Sequence, residues 1–282
     1  MRLALTLLAL LTFGGTALAD APRRVVSFNL CADQLVLALA DPGQIAGLSP
    51  YAADPSLSVM AEAARAYPRL DWQAESTIAL GPDLVLIGDT DRPVTKHLLQ
   101  AQGLRLHEIT LIDDFSTARR QIEEVAAVLG HPERGAALLA AIDAARARLD
   151  AAPRAPFATA LLVNRGGYTA GSHSLAAVLL AEAGLKPPAG ALPGYGGYVP
   201  LERLLVLHPD VIVLNSLPTE AHDEGSYNLL HPALAAMYPP ERRLVLPTRY
   251  TLCGGPALVE AFDYLAAMLT RLAAQSPTMR TN

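Results

Sequence analysis

Short apolar runs alternate with segments of helical periodicity through most of this chain. The run from Arg24 to Asn29 (RVVSFN) is β-branched and ends on polar residues, which predicts a strand. Residues 32–40 then predict a helix that stops at Asp41-Pro42-Gly43. Ile45 to Leu48 reads as a second strand, and Ser49-Pro50-Tyr51 opens a loop. A short helix closes over Ile78 to Leu80, Gly81-Pro82 turns the chain, and Leu84-Val85-Leu86-Ile87 is a fully apolar strand. A helix over 94–102 and a strand over 104–109 follow. Fully apolar strands separated by helices belong to parallel sheets covered on both faces, so the pattern predicts an α/β fold.

From Ser116 the period changes. Ile122, Val125, Ala126 and Leu129, then Leu138, Leu139 and Ile142, recur at helical spacing with charges between them. Gly130-His131-Pro132 interrupts the run and reads as a kink, so residues 115–150 are expected to form one long connecting helix. A Pro-rich stretch after Ala151 restarts the alternation, with strands over 158–163, 211–214 and 244–246 and helices over 174–183 and 257–272.

The same unit occurs twice. Glu75, Ile78, Leu80, Pro82, Asp83 and the strand from Leu84 match Glu202, Leu205, Leu207, Pro209, Asp210 and the strand from Val211 at a constant offset of 127. A helix end, a Pro-Asp turn and a buried strand repeated this way predict two similar lobes. The expected division is 20–114 for the first lobe, 115–150 for the connecting helix and 151–282 for the second.

Composition narrows the class. Hydrophobic residues make up 51% and charged residues 17%, enough to fill two cores and too apolar for a disordered chain. The net charge is −5 and the basic residues are scattered, which argues against a nucleic-acid surface. Arg2, the apolar run Leu3 to Phe13 and Ala17-Leu18-Ala19 before Asp20 have the form of a secretory signal peptide over 1–19. That run is short of the roughly 20 residues needed to span a bilayer, and no Cys stands by the cleavage site to carry a lipid. A soluble periplasmic protein is therefore expected. Cys31 and Cys253 are the two cysteines; an even pair in an exported chain points to a disulfide, with two free thiols as the alternative.

No Walker loop, dinucleotide fingerprint, zincin helix or nucleophile elbow occurs, and the histidines are dispersed, so neither an enzyme nor a protein metal site is expected and no resident cofactor is called for. Polar and aromatic residues fall instead at strand ends, where open α/β sheets bind ligands. Asn29, Tyr51, Trp72, Arg92, Arg165, Tyr168, Arg249 and Tyr250 are the candidates, with Tyr195 and Tyr198 on a glycine-rich loop. Rigid aromatics suit a large, partly apolar ligand, and arginines suit its anionic groups.

The opening strand, the two Glu…Pro-Asp segments and the helical connector resemble the substrate-binding proteins of iron-siderophore, haem and cobalamin ABC importers, of the helical-backbone type, over nearly the whole chain after residue 20. The resemblance implies a monomer that holds a metal chelate or corrinoid in a cleft between two lobes and hands it to a permease with its ATPase. It implies an iron complex, siderophore or haem, as ligand, with cobalamin as the alternative; Tyr51 and Trp72 lie where cobalamin-binding members carry ligand-facing aromatics. It also implies that Glu75 and Glu202 dock on the permease, one from each lobe. A free-metal-binding protein, an exported enzyme and a receptor without a transporter are the readings from other classes.

Overall fold

Every strand expected from an apolar run forms, with bounds within two residues of the expected ones. The computed structural model describes residues 21–216 and 227–279; the signal-peptide reading over 1–19 lies outside them. The first lobe runs β1 (Val25–Ser27), α1 (Leu30–Leu39), β2 (Ile45–Gly47), α2 (Ala61–Ala64), α3 (Ala74–Ala79), β3 (Leu84–Gly88), α4 (Pro93–Ala101) and β4 (Leu106–Ile109). Its sheet is parallel, in the order β2-β1-β3-β4. Two helices follow, α5 (Phe115–Leu129) and α6 (Pro132–Asp150). The second lobe contains β5 (Ala160–Leu162), β6 (Tyr168–Ala170), α7 (Leu175–Glu182), β7 (Gly196–Tyr198), α8 (Leu201–Leu207), β8 (Val211–Leu214), α9 (Tyr227–Leu230), α10 (Pro232–Met237) and β9 (Arg243–Val245). The terminal helix α11 (Ala257–Met279) packs along α6. The second sheet, β5-β8-β9, is also parallel, and β6 and β7 form a separate antiparallel ribbon.

The period-two alternation of side chains along each strand decides what it packs against. Val25, Leu84 and Leu86 of the first sheet and Ala160, Leu162, Val211 and Val213 of the second point into one continuous core with α5, α6 and α11. Val26, Phe28, Val85 and Ile87 point the other way, onto the side occupied by α3 and α4. Leu161, Val163, Ile212 and Leu214 do the same toward α8 and α10. Both faces of each sheet are covered, which is why these strands are apolar throughout.

The repeat has a physical content. Asp83 accepts the backbone N–H groups of Arg23 and Arg24 at 2.7 and 3.0 Å, just ahead of β1. Asp210 accepts those of Ala158 and Thr159 at 2.9 and 2.8 Å, just ahead of β5. Each Pro-Asp turn thus ties the start of its own strand to the start of the neighbouring one. The Thr159 N–H, foremost, holds the Asp210 carboxyl below its usual range. The turn conformation repeats too: Gly81 and His208, equivalent by the offset, are both left-handed, with φ 57° and 42°.

The connecting region departs from the expected single kinked helix. Gly130 ends α5 at φ 87°, and Pro132 starts α6 afresh. The two helices fold back on one another: Arg119 of α5 pairs with Asp143 of α6 at 2.7 Å, and a Cβ on Gly135 would come within 2.6 Å of the Ala126 methyl. Gly130-His131-Pro132 is therefore a reversal, and α6 alone is the helix that leads into the second lobe. The two apolar stripes read as one seam because each faces the same shared core.

Candidate functional site

The chain crosses between lobes a second time after β9. Leu246 N–H still pairs with Leu214 in the second sheet at 2.8 Å, yet the residues just beyond lie against the first lobe. Cys253 is bonded to Cys31 in the first turn of α1. Added Cβ atoms would press Gly254 on Ile112 and Ala118, and Gly255 on Leu35. The crossing segment thus packs on α1 beside the carboxyl ends of β1, β3 and β4, where Asn29, Gly88 and Ile109 line one cavity with Cys31 and Leu252.

In the first lobe, Tyr51, Trp72 and Arg92 meet although they are far apart in sequence. Trp72 stands edge-on to the buried Phe28 (centroids 5.4 Å apart) and to Tyr51 (5.7 Å), and the Arg92 guanidinium lies 4.3 Å above its ring. Such stacking leaves a guanidinium's N–H edge free to face an anion, and Arg92 is exposed. Trp72 (φ 69°) and Arg92 (φ 39°) both hold the left-handed conformation that non-glycine residues avoid. Backbone strain of this kind concentrates at ligand sites.

In the second lobe the aromatic set is built on the β6–β7 ribbon. Tyr168 and Tyr198 are directly paired across it with ring centroids 5.6 Å apart, and the Tyr168 hydroxyl donates to the Tyr195 carbonyl at 3.0 Å. Tyr198 is 77% exposed and Tyr195 48%, so broad aromatic faces are presented to solvent. Of the segment expected to be a glycine-rich loop, Gly196–Tyr198 is a strand, and Gly194 and Tyr195 form the turn before it. Its glycines let two backbones approach: Gly171 N–H donates to Tyr195 at 3.1 Å, and a Cβ on Gly171 would collide with the backbone of Gly194 and Gly196. Arg165 is exposed in the turn between β5 and β6.

Three expected ligand residues are committed elsewhere. The Asn29 side chain caps α1, accepting from Cys31 and Ala32, and donates to Asp91 at 2.5 Å. Tyr250 is a core residue, 6% exposed and packed on Tyr264. Arg249 donates to the Tyr250 hydroxyl at 3.0 Å and to the Pro55 carbonyl at 3.4 Å. A polar or aromatic residue at a strand end looks the same in sequence whether it faces a ligand or closes a junction.

Sequence reasoning passed over Asp33, which anchors the loop bearing Tyr51. It is fully buried in α1 and accepts Ser49 N–H at 2.9 Å and Ser49 Oγ at 2.5 Å. Burial pushes its carboxyl from 3.8 to about 6, against the downward pull of hydrogen bonds from Ser27 and Ser49. The folded state therefore favours the protonated form, and this contribution to stability is present below pH 4 and lost as the pH rises through 6. Asp33→Asn should gain about 3 kcal/mol relative to the parent between pH 4 and 7, read by urea unfolding at each pH. A stability difference that stays flat across that window would show that Asp33 does not titrate there.

A family model described as periplasmic binding protein matches residues 25–231, most of the chain. The chain belongs to the periplasmic binding protein family. The family and its structural neighbours are substrate-binding transport proteins, not enzymes. This periplasmic binding protein is similar in fold to a periplasmic haem-binding protein of Pseudomonas aeruginosa, at 22% identity and TM-score 0.70, covering 89% of this chain and 93% of that one. It is similar to the periplasmic vitamin B12-binding protein of Vibrio cholerae, at 16% identity and TM-score 0.68, covering 90% and 99%. An ABC-type Fe3+-hydroxamate transport system structure from Saccharomonospora viridis matches at 21% identity and TM-score 0.67, covering 87% and 92%. No curated protein matches the chain. No helix among the described residues is long and apolar enough to cross a membrane.

Proposed function

We propose that this periplasmic binding protein is exported to the periplasm as a soluble monomer, captures an iron complex, siderophore or haem, between the carboxyl edges of its two sheets, and delivers it to an ABC permease. The observation that carries this reading is the Tyr51–Trp72–Arg92 cluster, in which an exposed tyrosine and an exposed, stacked cation both contact the Trp72 ring. The Tyr168–Tyr198 pair offers a second aromatic surface from the other lobe, with Arg165 beside it. A large conjugated or partly apolar chelate with acidic groups fits these chemistries. Structural relatives whose names specify haem, hydroxamate and vitamin B12 span the same range.

The test is a calorimetric titration with haemin, a ferric hydroxamate and cyanocobalamin. Tyr51→Ala and Trp72→Ala should each weaken the tightest of these by about 1–3 kcal/mol. Unchanged affinity in both variants would remove the first-lobe cluster from the site. Selective capture of cyanocobalamin would transfer the reading to a corrinoid, the alternative ligand that the resemblance implies.

A further inference from the structure

The loop that presents Tyr51 is held from α1 and from the segment that crosses between the lobes. Between Ser49 and Ser58 it is a chain of successive turns, with Ala52 N–H bonded to Ser49, Asp54 N–H to Tyr51 and Leu57 N–H to Asp54. Asp33 of α1 fixes its start at Ser49. Past Tyr51 the support changes, because the Pro55 side borders a cavity of about 190 Å3 lined by Val59, Arg65, Arg249 and Glu260 among others. Across that space comes Arg249, from the segment that leaves the second sheet, to donate to the Pro55 carbonyl. Its own geometry is set by Tyr250, which accepts from Nη2 and lies under the guanidinium at 4.9 Å. Arg249 Nε is closed off from solvent without an acceptor, so this side of the group is not presented to a ligand.

We infer that Arg249 is a positioning residue: it holds the Tyr51 loop against Trp72 from the segment that crosses between the lobes and thereby couples the placement of that segment to ligand affinity. This rests on the reading of Tyr51 as a ligand anchor, but its first consequence needs no ligand. Trp72 is the only tryptophan and touches Tyr51, so its fluorescence reports the loop directly.

The experiment compares Arg249→Ala, Arg249→Lys, Tyr51→Ala and the Arg249→Ala/Tyr51→Ala double variant. In ligand-free protein, acrylamide quenching of Trp72 should rise in Arg249→Ala to the level of Tyr51→Ala. Arg249→Lys, which keeps a donor able to reach Pro55, should restore part of the protection. With haemin as titrant, Arg249→Ala should weaken binding about tenfold, and the double variant should be no weaker than Tyr51→Ala alone. Additive losses would make Arg249 a direct ligand contact and overturn the inference, as would parental quenching in Arg249→Ala. If Tyr51→Ala leaves haemin binding unchanged, or haemin does not bind, the ligand reading fails, and the quenching comparison still decides whether Arg249 holds the loop.

Discussion

Replacing both Cys31 and Cys253 by Ala should lower the stability by about 5 kcal/mol, a figure set by loop-closure entropy. The bond joins residues 222 apart in sequence, so it restricts nearly the whole unfolded chain. It also sits where the fold has least redundancy, pinning the crossing segment to α1 beside two glycines packed on Leu35, Ile112 and Ala118. Both lobes share one core through α6 and α11, so unfolding should be a single transition whose midpoint moves. Urea unfolding of the parent and the double variant reads this, and reduction of the parent should reproduce the variant's midpoint. A loss below about 1 kcal/mol would mean that packing alone holds the crossing.

If Glu75 and Glu202 dock on the permease, as the resemblance implies, reversing both charges should stop delivery while leaving capture intact. Glu75 and Glu202 are each the second residue of a short helix, α3 and α8, on the outer side of their sheets, and both are exposed. Glu75 follows Trp72 by three residues and Glu202 follows Tyr198 by four, so each sits just past an aromatic cluster, and neither forms an ion pair among the described residues. One negative charge from each lobe would match paired cations on a two-fold permease, where rim charges set encounter and orientation. In a reconstituted transporter, Glu75→Arg/Glu202→Arg should keep the parental haemin affinity and lose ligand-stimulated transport. Transport at the parental level would end the docking proposal, leaving the repeat as shared architecture.

The extent to which the site was legible follows the same logic. Tyr51, Trp72 and Arg92 could be singled out one at a time as aromatic or cationic residues near strand ends, but nothing local says that Tyr51 and Arg92 each come within 6 Å of Trp72. Asp33 was invisible because an acid in a helix reads as a surface residue; its burial comes from the loop folded over it. Tyr250 looked like a ligand contact and is core, since a strand end is equally where the chain turns inward to cross between lobes.

By itself, the sequence determined the features that depend on near neighbours: which runs become strands, that those strands are covered on both faces, and that the Glu…Pro-Asp unit recurs. Period-two apolarity and a Pro-Asp turn act over a few residues, so they can be read without knowing the rest of the chain. Tertiary structure alone decided the reversal at Gly130-His131-Pro132, the choice of the expected Cys31–Cys253 disulfide over two free thiols, and the passage of Arg249 across to Pro55. Each joins residues through space, and its outcome is set by which apolar faces must close on the same core. A glycine before proline permits a kink or a reversal equally; the shared core between the two sheets selects the reversal, because only then can α5 and α6 both bury their stripes.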